Sequence, residues 1–199
     1  MAWFSILIGY VLGSIPSAIW LGKTFHDTDV RNHGSGNAGA TNTFRVLGWK
    51  IGVVVLAIDM IKGYGALIIA RQLFSLSPHS TIIILSGIAA VLGHIFPLFA
   101  GFRGGKGIAT LAGVGIAVFP VSFLLVLLVF LIVFLVSKYI SLSSILGAVS
   151  LPFISFFIEG NDSPQIIAFT ILIAILVPIT HHKNIRRLIN GTENKLRMK

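Results

Sequence analysis

The densest group of anion-binding side chains lies in residues 31–45, which read RNHGSGNAGATNTFR. Glycines permit positive φ angles and close approach of the backbone, so successive N–H groups can turn toward a phosphate. Hydroxyl, amide and guanidinium groups supply further donors to phosphate oxygens. The stretch therefore predicts a phosphate-binding loop, although glycine spacing alone leaves a tightly packed connector as the alternative. The candidate residues are Gly34, Ser35, Gly36, Asn37, Gly39, Thr41, Asn42 and Arg45.

A second glycine-rich stretch, residues 93–110, carries Lys106 next to Gly105. Neither stretch has the context of a nucleotide site. The first matches G-x-G-x-x-G, but an apolar block precedes it instead of a β-strand. The second has Ala100 and Gly107 where a P-loop needs glycine and a metal-binding hydroxyl. We therefore expect Gly105 and Lys106 to bind phosphate, and the alternative for Lys106 is anchoring of the loop on the cytoplasmic side.

Two more polar clusters occupy residues 138–144 and 181–195. Two serines of the first cluster share a helix face, and a histidine and an asparagine of the second do so as well, because each pair is three residues apart. Such serines commonly cap helices, and basic residues beside a span commonly contact lipid headgroups. The alternative to these structural roles is contact with a phosphorylated ligand. The candidates are Ser141, Ser144, His181, Asn184 and Arg187.

Ionisable residues also occur inside the apolar blocks. Asp59 and Lys62 are three residues apart in one block, and His94 lies near the end of another. Charged groups are costly in a bilayer and normally face one another or water, so Asp59 and Lys62 are expected to pair. A structural or supporting role is predicted for all three, with the lining of an active-site cavity, or a direct role of His94, as the alternative.

The composition decides which elements position these groups. The chain has 199 residues, is 55% hydrophobic and 11% charged, and carries a net charge of +9; its mean hydropathy is +0.95. Apolar blocks of roughly twenty residues predict membrane-spanning helices, whereas a bacterial outer-membrane barrel has segments of about ten residues with period two. The absence of cysteine excludes disulfides, a thiolate nucleophile and sulfur-ligated metals. The positive charge is explained by membrane topology.

The apolar blocks predict seven spans. Five are clear, at residues 3–21, 51–70, 81–100, 141–158 and 164–180. Block 3–21 lacks a basic start and a cleavage site, so it is expected to be retained as the first span. The stretch 107–136 would be about 45 Å long as one helix, too long for a core of about 30 Å, so we predict a break at Phe119-Pro120.

The distribution of positive charge predicts the orientation. With seven spans and the amino terminus outside, nearly all basic residues and the carboxyl terminus become cytoplasmic. The expected cytoplasmic residues are Lys23, Arg31, Arg45, Lys50, Arg103, Lys106, Lys138, Lys183, Arg186, Arg187, Lys195, Arg197 and Lys199. The predicted fold is an all-α membrane protein, a compact bundle of seven transmembrane helices that forms a single domain over residues 1–199.

The polar clusters on the cytoplasmic face indicate recognition of phosphorylated small molecules beside the lipid. A transporter is the main alternative, but transporters favour polar groups near the midplane and inverted repeats. A scaffold protein is a weaker alternative, because it does not need several glycine-rich donor loops.

A resemblance rests on six strings of the sequence: GSIPSAIWLGK, DVRNHGSGNAGATNTFRVLG, DMIKG, GHIFPLFAGFRGGKGIAT, KYISLSS and HHKNIRRLINGTENK. In this order they resemble the bacterial acyl-phosphate-dependent glycerol-3-phosphate acyltransferases, over nearly the whole chain. The resemblance implies transfer of a fatty acyl group from acyl phosphate to glycerol 3-phosphate in the bacterial inner membrane. The products are lysophosphatidic acid and phosphate, in an early committed step of phospholipid synthesis. It implies no metal, nucleotide or other cofactor, no nucleic acid and no obligate protein partner.

The resemblance also assigns roles to matching positions. The glycine-rich loop, with Ser35, Asn37, Thr41 and Asn42, and the Gly105-Lys106 pair would bind acyl phosphate. Glycerol 3-phosphate would contact Arg45, Ser144, His181 and Asn184, and we add Ser141 and Arg187 from the same clusters.

The chemistry of the residues agrees with this assignment. Acyl phosphate is a mixed anhydride with a good leaving group, so the protein mainly has to align substrates and stabilise developing oxyanion charge. Ser35 and Lys106 suit that work. The base that removes the hydroxyl proton stays open between His181 and a substrate phosphate. The catalytic candidates are therefore Ser35, Lys106 and His181, and no covalent acyl-serine is expected.

Overall fold

The computed structural model describes residues 1–196, so Arg197 and Lys199 of the predicted cytoplasmic set lie outside the described residues. Within residues 1–196 the regular structure is helical and contains no β-strand. The α-helices are α1 (Phe4–Gly13), α2 (Ser17–His26), α3 (Ala40–Leu47), α4 (Trp49–Phe74), α5 (Thr81–Ile95), α6 (Ile108–Val118), α7 (Pro120–Ser137), α8 (Ile140–Phe153), α9 (Pro164–Thr180) and α10 (His182–Ile189).

Within residues 1–196 the helices give five segments long and apolar enough to cross a membrane, or six if the bent pair α9 and α10 is one span. The five are Phe4–His26, Trp49–Phe74, Thr81–Ala100, Pro120–Ser137 and Ile140–Ile158. Helix α6 has 11 residues. Its length of about 16 Å is well below the thickness of about 30 Å that a span must cross. The all-helical fold with helices of spanning length is thus observed, while the count of seven and the orientation stay predictions.

Two prolines set helix boundaries. The predicted break at Phe119-Pro120 is confirmed, because α6 ends at Val118 and α7 begins with Pro120 at its first position. Proline has no N–H and a fixed φ, so it begins a helix easily and interrupts one. The first apolar block is also interrupted: α1 ends at Gly13 and α2 begins directly after Pro16. This second break was not predicted from the sequence.

The chain divides into two compact units, Met1–Val118 and Phe119–Lys199. The single domain over residues 1–199 stays a prediction. In the first unit α1 packs on α5, and α4 packs on α3 and α6. In the second unit α8 packs between α7 and α9 and contacts α10.

Small residues permit the closest helix contacts in the first unit. A Cβ added to Gly13 of α1 would collide with the backbone of Ala90 in α5, and one added to Gly113 of α6 would collide with the backbone of Met60 in α4. Apolar side chains gain little from association in lipid, so close backbone packing of this kind is a main source of helix affinity. These contacts hold α5 against α1 and α6 against α4, and the loop that carries Lys106 connects α5 to α6.

Candidate active site

The first polar cluster forms the glycine-rich loop, residues 30–39, which is held from behind by Asn42 of α3. The Asn42 Oδ1 atom accepts a hydrogen bond of 2.8 Å from the Ser35 N–H, and its Nδ2 donates to the carbonyls of Val30 at 2.8 Å and His33 at 3.0 Å. Gly34 has a φ of +61°, and a Cβ there would collide with Asn42 Oδ1. Asn42 is buried and both of its N–H donors are used in the loop. This corrects the expectation that Asn42 donates to phosphate, because the structure makes it the support of the loop.

Other groups of the same loop remain available to a ligand. The Ser35 side chain is exposed and Asn37 is half-buried, whereas the Gly36 N–H already donates to the His33 carbonyl at 3.0 Å. Gly39 is the N-cap of α3 in extended conformation and supplies no side-chain cap, so the N-terminal N–H groups of α3 add positive potential beside the loop. Thr41 lies in the first turn of that helix.

Arg45 lies in the last turn of α3 and is half-buried. It is four residues after Thr41, so both lie on one face of the helix. A single helix thus carries a predicted acyl-phosphate residue at its start and a predicted glycerol-3-phosphate residue at its end.

The second polar cluster forms the lysine loop, residues 97–107, which folds back on the end of α5. The Gly104 N–H donates to the Ile95 carbonyl and the Gly105 N–H to the His94 carbonyl, each at 3.1 Å. A Cβ on Gly105 would collide with the His94 ring and lie 2.9 Å from the Ala38 carbonyl. The lysine loop and the glycine-rich loop are therefore in contact. Lys106 follows Gly105, is half-buried, and lies two residues before α6 begins at Ile108.

The buried charges lie beneath these loops. Lys62 Nζ is 2.9 Å from Asp59 Oδ1, so the expected pair is present, and the Ser17 hydroxyl donates to the same oxygen at 2.7 Å. Lys62 also donates to the Ile15 carbonyl at 2.8 Å. The break at Pro16 leaves backbone carbonyls without helical partners, which is costly in a membrane. The pair therefore stabilises the broken first span.

His94 connects this pair to the loops. Its Nδ1 lies 3.5 Å from Asp59 Oδ1, which is too long for a strong hydrogen bond. The two side chains line a small cavity together with Ser17, Ala38 and Gly104. The Asp59–Lys62 pair thus has the structural role that the sequence predicted, and it also lines a cavity under both loops.

The third and fourth polar clusters meet at Glu193, a residue that the sequence analysis did not select. The Glu193 carboxylate accepts hydrogen bonds from Ser141 Oγ at 2.8 Å, Asn184 Nδ2 at 2.6 Å and Arg187 Nε at 2.6 Å. Burial alone would raise the pKa of Glu193, but the donors of Asn184, Arg187 and Ser141 outweigh it and hold that pKa below its ordinary value. We call these four residues the glutamate cluster. It uses one polar group each of Ser141, Asn184 and Arg187, and their contact with glycerol 3-phosphate stays a prediction.

Ser144 and His181 lie outside the glutamate cluster. The Ser144 hydroxyl donates to the Ile140 carbonyl at 2.9 Å within α8. His181 is buried, and its Nδ1 lies 2.8 Å from the Val177 carbonyl. A carbonyl only accepts, so Nδ1 carries the proton and Nε2 of the neutral ring is the acceptor. This tautomer suits a general base acting through Nε2.

Among residues 1–196 no group of three or more His, Asp or Glu side chains has the arrangement of a metal site. The prediction that the protein needs no metal is not tested by this observation and stays a prediction.

Comparison with known proteins decides the family. The family model described as glycerol-3-phosphate acyltransferase matches residues 3–191. This chain belongs to the glycerol-3-phosphate acyltransferase family. A glycerol-3-phosphate acyltransferase of Fusobacterium nucleatum is 45% identical, with 99% of this chain and 100% of the relative covered. One from Listeria monocytogenes is 46% identical, with 96% and 94% covered.

A solved structure is also similar to this acyltransferase. The crystal structure of PlsY (YgiH), an integral membrane glycerol 3-phosphate acyltransferase, in its glycerol 3-phosphate form, has a TM-score of 0.91 and 39% identity, with 98% of this chain and 96% of that chain covered. A second form of that protein, with lysophosphatidic acid, has a TM-score of 0.87 and 38% identity, with 98% and 95% covered. The present protein is accordingly a membrane-embedded acyltransferase of phospholipid synthesis.

The candidate site contains one residue that a closer inspection of the sequence could have suggested. Glu193 is the one acidic residue in the basic stretch 181–195. An acidic residue among many cations indicates an ion pair, and Arg187 lies in the same stretch, but the contact with Ser141 of α8 is not visible in the sequence.

Proposed function

We propose that this acyltransferase uses acyl phosphate as its donor and forms 1-acylglycerol 3-phosphate, which is lysophosphatidic acid, with release of inorganic phosphate. The observation that carries the proposal is the contact between the glycine-rich loop and the lysine loop, which brings the loop of Lys106 beside the loop that leads into the N-terminus of α3. Such a site suits a phosphate ester or anhydride and has no nucleotide-binding context. The lysophosphatidic acid form of the related crystal structure supports the product.

In the proposed reaction a hydroxyl oxygen of glycerol 3-phosphate attacks the acyl carbon. The new ester C–O bond forms, the C–O bond to the phosphate breaks, and the hydroxyl proton passes to a base. The phosphate leaves as a stable anion, so the site needs no nucleophilic residue of its own. Positioned donors to the developing negative charge supply the catalysis.

We assign Lys106 and Ser35 to the reacting phosphate and acyl oxygen, with Asn37, Thr41 and the loop N–H groups as further donors. Lys106 lies two residues before Ile108, the first residue of α6, so its ammonium adds to the positive potential of the first N–H groups of that helix. Asn42 supports the loop and does not touch the substrate in this assignment.

We assign glycerol 3-phosphate to Arg45, Ser144, His181, Asn184 and Arg187, with Ser141 as support. Arg187 holds Glu193 through Nε, and a guanidinium has other N–H donors for a phosphate. His181 is the base in this proposal, since its Nδ1–H faces the Val177 carbonyl and Nε2 can accept the proton. A phosphate oxygen of a substrate is the competing base.

The proposed active face is the cytoplasmic one, at the inner membrane of a bacterium. The excess of basic residues in the predicted cytoplasmic loops supports this orientation.

A donor assay tests the proposed function. The purified protein is supplied with glycerol 3-phosphate and with acyl phosphate, acyl-CoA or acyl carrier protein, each with and without EDTA. Acyl phosphate should support turnover, with one phosphate released per ester formed, and the chelator should have no effect. Turnover with acyl-CoA and none with acyl phosphate would refute the donor, whereas the family would stand.

A further inference from the structure

Arg31 and Asp29 form an ion pair directly before the glycines of the glycine-rich loop. The Arg31 guanidinium donates through Nε to Asp29 Oδ1 at 3.0 Å and through Nη2 to Oδ2 at 2.7 Å. The Arg31 backbone N–H donates to Oδ1 at 3.0 Å, so Asp29 also caps the short 3-10 helix Val30–Asn32. The forked geometry fixes the orientation of the guanidinium plane.

The third arm of this guanidinium reaches the lysine loop. Nη1 of Arg31 donates to the Ala100 carbonyl at 3.0 Å, a residue 69 positions later in the chain. Ala100 lies in a tight turn in which its own N–H and that of Phe102 both donate to the Pro97 carbonyl, at 3.1 and 2.9 Å. Gly101 and Phe102 have φ values of +63° and +59°. The hydrogen bond to Ala100 therefore attaches Arg31 to a turn that is held by its own backbone hydrogen bonds.

Each end of the bond belongs to a rigid part of the candidate site. On one side Asn42 joins the Val30 and His33 carbonyls to the Ser35 N–H. On the other side the lysine loop is bonded to the end of α5 through Gly104 and Gly105. A link between two rigid parts sets the distance between them.

We propose that Arg31, oriented by Asp29, is a positioning residue that fixes the glycine-rich loop against the lysine loop and thereby sets the spacing between Ser35 and Lys106. The inference rests on the proposed function, because it assigns both loops to one acyl phosphate. A substrate held between two loops is sensitive to their spacing, and a misplacement of about 1 Å can reduce the rate by about a hundredfold.

The pair differs from an ordinary surface ion pair. The side chains of Arg31 and Asp29 are 23% and 15% exposed, whereas Lys23, 3.8 Å from the same carboxylate, is 58% exposed. The hydrogen bond from Arg31 holds the pKa of Asp29 down to about 2, against the opposing effect of burial. The carboxylate thus stays ionised at neutral pH.

The test compares Arg31→Lys with Arg31→Ala and with the matched control Lys23→Ala. Lysine retains the charge beside Asp29, but its compact ammonium cannot form the fork to the carboxylate while donating to the Ala100 carbonyl. Lys23→Ala removes a charge near the same carboxylate and leaves the link between the loops intact. Steady-state constants are measured per folded protein, with each substrate varied at saturation of the other.

We expect Arg31→Lys to lower kcat/KM for acyl phosphate about tenfold to a hundredfold. The KM for glycerol 3-phosphate should change less than about threefold, and Lys23→Ala should match the wild type on every constant. Hydrogen exchange of the lysine loop, followed without substrate, should become faster in Arg31→Lys than in Lys23→Ala, while exchange in α4 stays unchanged.

Three results would overturn the positioning role: wild-type kinetics and exchange in Arg31→Lys, equal losses for both substrates, or faster exchange throughout the protein. If Arg31→Ala does not fold, Arg31→Lys still decides the matter. Failure of the donor assay with wild-type protein would refute the proposed function, and the exchange experiment would still test the link between the loops.

Discussion

The glutamate cluster predicts that replacing one carboxylate destabilises the second unit of the protein. In Glu193→Gln the side chain keeps its shape, but an amide nitrogen replaces one of the two carboxylate oxygens. One of the three donors, from Ser141, Asn184 and Arg187, then faces another donor. A hydrogen bond to a charged group contributes about 1.5 to 3 kcal/mol. Glu193 is 8% exposed, whereas the Arg187 side chain is one-third exposed, so we take about 2 kcal/mol.

A loss of about 2 kcal/mol corresponds to a fall in Tm of about 4 to 8 °C for a chain of this size. Thermal unfolding of the detergent-solubilised protein measures it, with Asp162→Asn as the control because Asp162 is an exposed acid of the same unit. The KM for glycerol 3-phosphate should rise in Glu193→Gln, because Asn184 and Arg187 lose their common anchor.

The pH dependence of this variant follows from the lowered pKa of Glu193. A carboxyl whose pKa is lower in the folded state stabilises that state above its unfolded pKa of about 4.3 and loses the effect as the pH falls through the folded value. The difference in Tm between wild type and Glu193→Gln should therefore be constant near neutral pH and shrink below about pH 4. An unchanged Tm at pH 7, or a difference that grows in acid, would refute the reasoning.

Three further predictions concern the loops and the topology. Lys106→Ala and Lys106→Arg should insert normally but lose about a hundredfold to a thousandfold in kcat; near-normal activity of the arginine variant at saturating substrates would leave Lys106 as a topological anchor. Gly105→Ala should lower kcat/KM for acyl phosphate, because the added Cβ collides with the His94 ring. If Gly105→Ala kept wild-type kinetics in an assay in which Ser35→Ala is inactive, this prediction would be wrong. Reporter fusions should all show a cytoplasmic location, and an external carboxyl terminus would exclude the seven-span orientation; the fusion points are Lys50, Arg103, Lys138 and Lys199.

Local patterns in the sequence were sufficient for the fold class and for part of the site. The length and hydropathy of the apolar blocks predict spanning helices, because lipid leaves the backbone no other hydrogen-bond partners. Pro120 ends one helix and begins the next for reasons contained in its own ring. Asp59 and Lys62 pair because they are three residues apart on one helix. The glycines of both loops mark the places where backbones approach closely.

The roles of individual polar groups required the tertiary structure. Ser141 and Glu193 are 52 residues apart, and Arg31 and Ala100 are 69 apart. No periodicity in the sequence relates such positions, because their contact depends on how separate helices pack. The same dependence explains why Asn42, chosen as a phosphate ligand for its amide, is instead occupied by the loop backbone. Sequence determines which donors and acceptors exist, and packing decides which of them are already bonded within the protein.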